Sequence, residues 1–171
     1  ELGSFRELHA WSIDNPAAFW SHLWDFFDIA GEKGDSPWLE DPGQMEKARF
    51  FPDARLNYAE NLLRQNGPEA AIIFRGENEV RRTLSWAELN AEVSRLQQFL
   101  EEAGVAAEDR VAALIPNMPE AAIGLLAASS LGAIWSSASP DFGVQGVLDR
   151  FGQIEPKILI ACDGYFYNGK R

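Results

Sequence analysis

The sequence predicts an α/β fold, a mostly parallel sheet with helices on both faces, preceded by a helical extension. Three observations carry this prediction. Short apolar runs at 110–115, 133–136 and 157–162 alternate with helix-length segments that open at Pro119 and Val144, and strand–helix–strand alternation calls for parallel crossovers. A further helix-length segment begins at Ser85 with a capping signature and carries an apolar stripe of helical period. Residues 1–53 show neither pattern and read as an extension with one aromatic-rich helix.

The helix of the extension is predicted over 15–30. Asn15 can cap it, Pro16 suits its first turn and Gly31 can end it. Its large side chains fall on two seams, Phe19, Leu23, Phe26 and Ala30 on one and Trp20, Trp24 and Phe27 on the other, which marks a docking element covered on more than one face. Residues 31–53 mix Gly31, Gly34, Pro37, Pro42, Gly43 and Pro52 with charges, the composition of an irregular connection. The boundary between extension and core domain is placed at Asp53, giving segments 1–53 and 54–171.

In the core domain a short helix is predicted over 57–64, capped by Asn57 and closed by Gly67 and Pro68. Residues 70–74 and 80–84, joined by a turn at 76–78, form a β-hairpin. Ser85 and Glu88 make the capping box of the next helix; Leu89, Val93, Leu96, Leu100 and Ala103 are its buried stripe, and Gly104 ends it. A buried strand over 110–115, a small-residue helix over 119–131, a strand over 133–136, a helix over 144–151 and a strand over 157–162 complete the alternation.

Composition removes several function classes. Of 171 residues, 46% are hydrophobic and 24% charged, which supports one substantial core and no disordered tract. The net charge of -11 disfavours nucleic-acid binding, since no basic face is concentrated. One cysteine, Cys162, excludes an internal disulfide and a thiolate cage. The longest apolar stretch, 121–138, is interrupted by glycines and serines and makes a poor bilayer span. With no basic start followed by an apolar run, no signal peptide is read, and the expected location is cytoplasmic.

Motifs are sparse. The turn after Ile115 has no glycine, so a dinucleotide-type pyrophosphate grip is missing, and no Walker-type loop occurs. His9 and His22 lack metal spacing, and no metal site is expected. Ser136, Ser137 and Ser139 lack a nucleophile elbow and are read as a loop over the carboxyl edge of the sheet. Ligands of open α/β sheets bind outside that edge. Two loops therefore qualify, 136–143 and 163–171. The second offers Tyr165, Phe166 and Tyr167 for stacking and Lys170 and Arg171 for a phosphate. From spacing alone, a solvated terminus is the favoured reading.

Several segments carry a family resemblance. The run FPDARLNYAENLL at 51–63 resembles the segment before the catalytic core of acetoacetyl-CoA synthetases, and the aromatic helix at 19–27 resembles their N-terminal extension. TLSWAEL at 83–89, DRV at 109–111, IPNMPEAA at 115–122 and LGAIWS at 131–136 follow in the same order, so the likeness covers nearly the whole chain. The MPEA and LGA parts are shared with acetyl-CoA synthetases and the wider adenylate-forming superfamily. NYAEN at 57–61 and WSSASPDF at 135–142 resemble the acetoacetate enzymes in particular.

The resemblance implies the first part of a large AMP-binding α/β domain. It implies a ligase that uses ATP, CoA and Mg2+ to convert acetoacetate to acetoacetyl-CoA through an acyl-adenylate. The family's phosphate loop, adenine and carboxylate motifs lie downstream of residue 171, so no catalytic residue is expected here and the chain alone is expected to be inactive and to bind none of these ligands tightly. One binding role carries over. Related enzymes supply cations to the CoA 3′-phosphate from the segment matching 163–170; Lys170 keeps a cation, whereas Tyr167 departs from the pattern. A glycine pair in the neighbouring loop is replaced by Pro140 and Asp141. The implied CoA-contacting set is thus Lys170, Arg171 and Tyr167, with Pro140, Asp141 and Phe142 as a wall. The alternatives are a non-catalytic CoA- or protein-binding module and a related short-chain synthetase such as acetyl-CoA synthetase. An NAD-dependent oxidoreductase is disfavoured by the missing glycine turn.

Overall fold

In the computed structural model, which describes residues 3–77 and 80–169, the first element is a helix that the sequence pattern did not single out. Helix α1 (Phe5–Asp14) is capped by Ser4, whose side chain accepts from the Glu7 amide, and none of its residues is buried. Without a buried stripe it carried no core signal, although Ser4 and Glu7 have the spacing of a capping pair. Helix α2 (Pro16–Phe26) then starts at Pro16 as expected and stops four residues short of the predicted Ala30. Asp28 adopts a left-handed backbone with φ 49° and turns the chain out of the helix.

Residues Glu1–Asn57 and Tyr58–Arg171 form two compact units. In the first, the segment predicted as irregular contains two short antiparallel pairs. Strand β1 (Gly31–Glu32) pairs with β4 (Arg55–Leu56), and β2 (Leu39–Glu40) pairs with β3 (Arg49–Phe50). The aromatic seam of α2 meets this region. Trp20 lies edge-on to Phe50 at 5.4 Å and Trp24 lies 5.0 Å from Phe51. Lys33 bonds Asp25 at 2.7 Å and sits over the Trp38 ring. Toward the end of the helix both seams are open, with Phe26 70% and Phe27 56% exposed.

The second unit opens with helix α3 (Tyr58–Leu62) and a hairpin of β5 (Ala70–Arg75) and β6 (Arg81–Ser85), which forms its own two-stranded sheet. Helix α4 (Trp86–Glu102) begins with the full capping box of Ser85 and Glu88 and buries Leu89, Val93 and Leu100. The remaining strands, β7 (Arg110–Leu114), β8 (Ile134–Ala138) and β9 (Ile158–Ala161), make a three-stranded parallel sheet in the order β8-β7-β9. Helix α5 (Pro119–Ser130) connects β7 to β8, and α6 (Val144–Ile154) carries the chain from β8 back past β7 to β9.

Side-chain alternation along β7 splits the core. Val111 joins the larger cluster with Leu89, Val93, Leu100, Ile123 and Ala127 from α4 and α5, whereas Ala112 packs with Ala138 and with Phe151 of α6. Helices therefore cover both faces of the parallel sheet, as the alternation predicted. Opposite faces for α5 and α6 also follow from chain direction: two crossovers of one hand that run in opposite directions across a sheet place their helices on opposite sides.

Two small devices set this packing. Gly124 is buried on α5, where an added Cβ would stand 2.3 Å from Cη2 of Trp135, so the absent side chain lets the indole lie against the helix. At the same, amino end of the sheet, the Arg110 Nε donates to the Ile154 carbonyl at 2.9 Å and gives the C-terminus of α6 a partner. Beside it, Lys157 donates to Asp109 at 2.8 Å and to the Gly104 carbonyl.

Candidate functional site

Strand order decides where the carboxyl-edge loops fall. The loop after β7 leads to α5 on one face and the loop after β8 leads to α6 on the other, so their divergence opens a crevice at a topological switch point. A cavity of about 320 Å3 lies there, lined by Ile115, Pro116, Asn117, Ala121, Ser137, Ala138 and Ser139. A second cavity of about 310 Å3 lies between the hairpin and the loops after β7 and β9. Phe74, Glu77, Pro116, Met118, Tyr165 and Phe166 are among its lining residues. Pro116 and Asn117 border both cavities.

The loop after β8 begins later than expected. Ser136 and Ser137 belong to β8, held in register opposite Ala112 and Ala113, and only Ser139 of the serine cluster stands in the loop. There the Ser139 hydroxyl donates to Asp141 Oδ2 at 3.0 Å. The other Asp141 oxygen, Oδ1, accepts from the Tyr165 hydroxyl at 2.6 Å. These two donors, Tyr165 first, hold the Asp141 carboxyl below the usual range, and the same bond pushes the Tyr165 phenol up to about 12. Asp141 comes from the loop after β8 and Tyr165 from the loop after β9, so the bond joins the two outer strands across the end of β7.

Phe142, expected on the same wall, turns to α6, where the Arg150 guanidinium lies 4.1 Å from its ring centroid. Tyr167 is 59% exposed, with its ring 6.2 Å from that of Tyr165. Asp141 and Tyr167 thus connect through Tyr165, which the predicted set did not include. Pro140 lies between Ser139 and Asp141, half-buried. Lys170 and Arg171 lie outside the described residues. None of Pro140, Asp141, Phe142 and Tyr167 lines either cavity; they form the loop surface beside them.

Sequence reasoning also missed Glu77. Its carboxylate accepts from the Asn168 amide at 2.7 Å and from the Gly169 amide at 2.9 Å, one bond to each oxygen. Asn168 and Gly169 form a turn with left-handed backbones, φ 51° and 70°, and successive amides of a turn can make an anion-binding concavity. The two amides hold Glu77 below the usual carboxylate range. The partners are 91 and 92 residues apart, so no local pattern could have revealed them.

Around the segment after β9 the described residues supply the rings of Tyr165 and Tyr167, whereas Asp141 and Glu77 place negative charge close by. Such rings can stack on a planar group, whereas the two carboxylates repel a phosphate. Among the described residues, no group of three or more His, Cys, Asp or Glu side chains could hold a metal ion. No helix there is long and apolar enough to cross a membrane.

Comparison with known proteins decides the family. Residues 60–169 match the family described as AMP-binding enzyme, and residues 5–62 match the acetyl-coenzyme A synthetase N-terminus. The chain belongs to the AMP-binding enzyme family. The acetoacetyl-coenzyme A synthetase of Rhizobium meliloti (strain 1021) is 59% identical over 170 residues, covering 99% of this chain and 26% of that protein. The acetoacetyl-CoA synthetase of Xenopus tropicalis is 39% identical with the same coverage. The solved acetoacetyl-CoA synthetase from Streptomyces lividans superposes with a TM-score of 0.90 at 40% identity, covering 98% of this chain and 26% of that one. This member of the AMP-binding family thus spans about a quarter of the length of the relatives it matches.

Proposed function

We propose that the protein carrying this chain is an ATP-dependent ligase that makes acetoacetyl-CoA. The acetoacetate carboxylate attacks the α-phosphorus of ATP, releasing pyrophosphate, and the CoA thiolate then attacks the acyl carbon and releases AMP. Mg2+ balances phosphate charge in the first step. The observation that carries this reading is identity across 99% of the chain, at 59%, with a synthetase of that name. On this reading the product belongs to cytoplasmic ketone-body and lipid metabolism.

Within these residues the role is to bind CoA rather than to perform bond making. The loops after β8 and β9 would border the nucleotide end of CoA. Tyr167 offers a stacking face, Lys170 and Arg171 offer cations to its 3′-phosphate, and Pro140, Asp141 and Phe142 form the adjoining wall. Residues 1–53 precede the first part of the AMP-binding domain, 54–171.

The test uses the intact protein. Release of pyrophosphate from ATP should require acetoacetate, and release of AMP should require CoA as well, with kcat/KM for acetoacetate well above that for acetate. Preference for acetate, or no pyrophosphate release with either acid, would overturn the assignment. Lys170→Ala should raise KM for CoA and leave KM for ATP unchanged.

A further inference from the structure

The segment after β9, residues 163–169, has little regular structure and most of it is exposed, yet it is fastened from two sides. Asp141 holds it at Tyr165 from the loop after β8, and Glu77 holds it at Asn168 and Gly169 from the tip of the β5–β6 hairpin. Each carboxylate uses both oxygens: Asp141 accepts from Tyr165 and Ser139, Glu77 from two successive amides. A stretch with so little burial of its own would otherwise sample many conformations, because little packing opposes its chain entropy.

We propose that Glu77 and Asp141 are positioning residues that hold 163–169 as a strap across the carboxyl edge of the sheet and so preorganise it for CoA. The proposal rests on the reading that this segment borders CoA. Glu77 fills the concavity made by the Asn168 and Gly169 amides, so that anion position is occupied by the protein itself and serves to fix the backbone. That concavity is then closed to a phosphate of CoA, which leaves Lys170 and Arg171, directly after the strap in sequence, as the cations proposed for it. Asp141 fixes the Tyr165 ring, and through it the neighbouring Tyr167 ring, at a separation of 6.2 Å. Ordering a binding segment in advance lowers the entropy lost when ligand arrives. Loss of either fastening therefore weakens CoA binding without touching the reacting atoms.

The experiment compares Glu77→Ala, Tyr165→Phe and the double variant in the intact protein. Tyr165→Phe removes one hydroxyl and keeps the ring; Glu77 is exposed, so neither change threatens the core. Each single change should raise KM for CoA by roughly three- to tenfold, the scale of one lost preorganising contact. KM for ATP and for acetoacetate, and kcat, should stay near wild type. Because both fastenings act on one segment, the double variant should fall short of the product of the single effects. Hydrogen exchange at the Asn168 and Gly169 amides should accelerate in Glu77→Ala. Unchanged exchange, or unchanged KM for CoA in both single variants while Lys170→Ala raises it, would overturn the strap. Faster exchange with KM for CoA unmoved in all three, Lys170→Ala included, would instead overturn the CoA reading on which it rests.

Discussion

Replacing Gly124 by alanine sets two effects of known size against each other. Helix propensity alone favours the change, since glycine inside a helix is less stable than alanine by about 1 kcal/mol. The Trp135 indole opposes it. The new Cβ would meet Cη2 at 2.3 Å, Cζ3 at 2.7 Å and Cζ2 at 3.2 Å. Ordinary carbon contacts lie near 3.5–4.0 Å, so the ring must retreat by roughly 1 Å. Trp135 packs against the main core cluster, which limits that retreat, and overfilling such a site costs about 1–3 kcal/mol. The clash therefore wins, and Gly124→Ala should destabilise by about 1 kcal/mol net. In a Trp135→Leu background the obstacle is gone and the same change should stabilise by about 1 kcal/mol. Urea unfolding of the four proteins gives both numbers as a double-mutant cycle. Equal stabilisation by Gly124→Ala in both backgrounds would refute the claim that the missing side chain exists to seat the indole.

Two further outcomes are expected. Ser85→Ala should cost about 1 kcal/mol in unfolding experiments, because Ser85 Oγ accepts the Glu88 amide at 3.2 Å, and Ser85→Asp should restore most of it; equal losses for both would refute the cap. The Tyr165–Asp141 bond should give a phenol that ionises at about 12 in an ultraviolet titration and returns toward the ordinary tyrosine value in Asp141→Asn. Because the Tyr165 pKa is raised, its contribution is full below the ordinary phenol range and is lost as pH rises through about 12. Because that of Asp141 is lowered, its contribution is full above the ordinary carboxylate range and is lost on acidification through the depressed value.

Most of the second unit was legible because its signals are local and redundant. Ser85 and Glu88 mark the start of α4, Pro119 that of α5, and the apolar runs of β7 and β9 have no competing interpretation. Failures came where a local signal was short or two signals disagreed. Pairs such as β1–β4 have two residues per strand, too few for any alternation to register. The apolar seam of α2 continues to Ala30, but Asp28 turns left-handed before it. Ser136 and Ser137 look like loop by composition and are kept in β8 by pairing with β7, a tertiary cause.

The site divides in the same way. That the loops after β8 and β9 lie at the carboxyl edge of the sheet was readable from the alternation of elements, since that edge is fixed by chain direction. Which side chains meet there was not. The order β8-β7-β9 sets the loops of the two outer strands on either side of the Pro116–Asn117 turn. Only a bond reaching across the end of β7 can couple them, and Asp141 to Tyr165 is such a bond. Pro140 and Asp141, which the family resemblance sets where related enzymes carry a glycine pair, therefore have a physical consequence. Pro140 restricts the backbone of one loop, and Asp141 supplies the carboxylate that fastens the other.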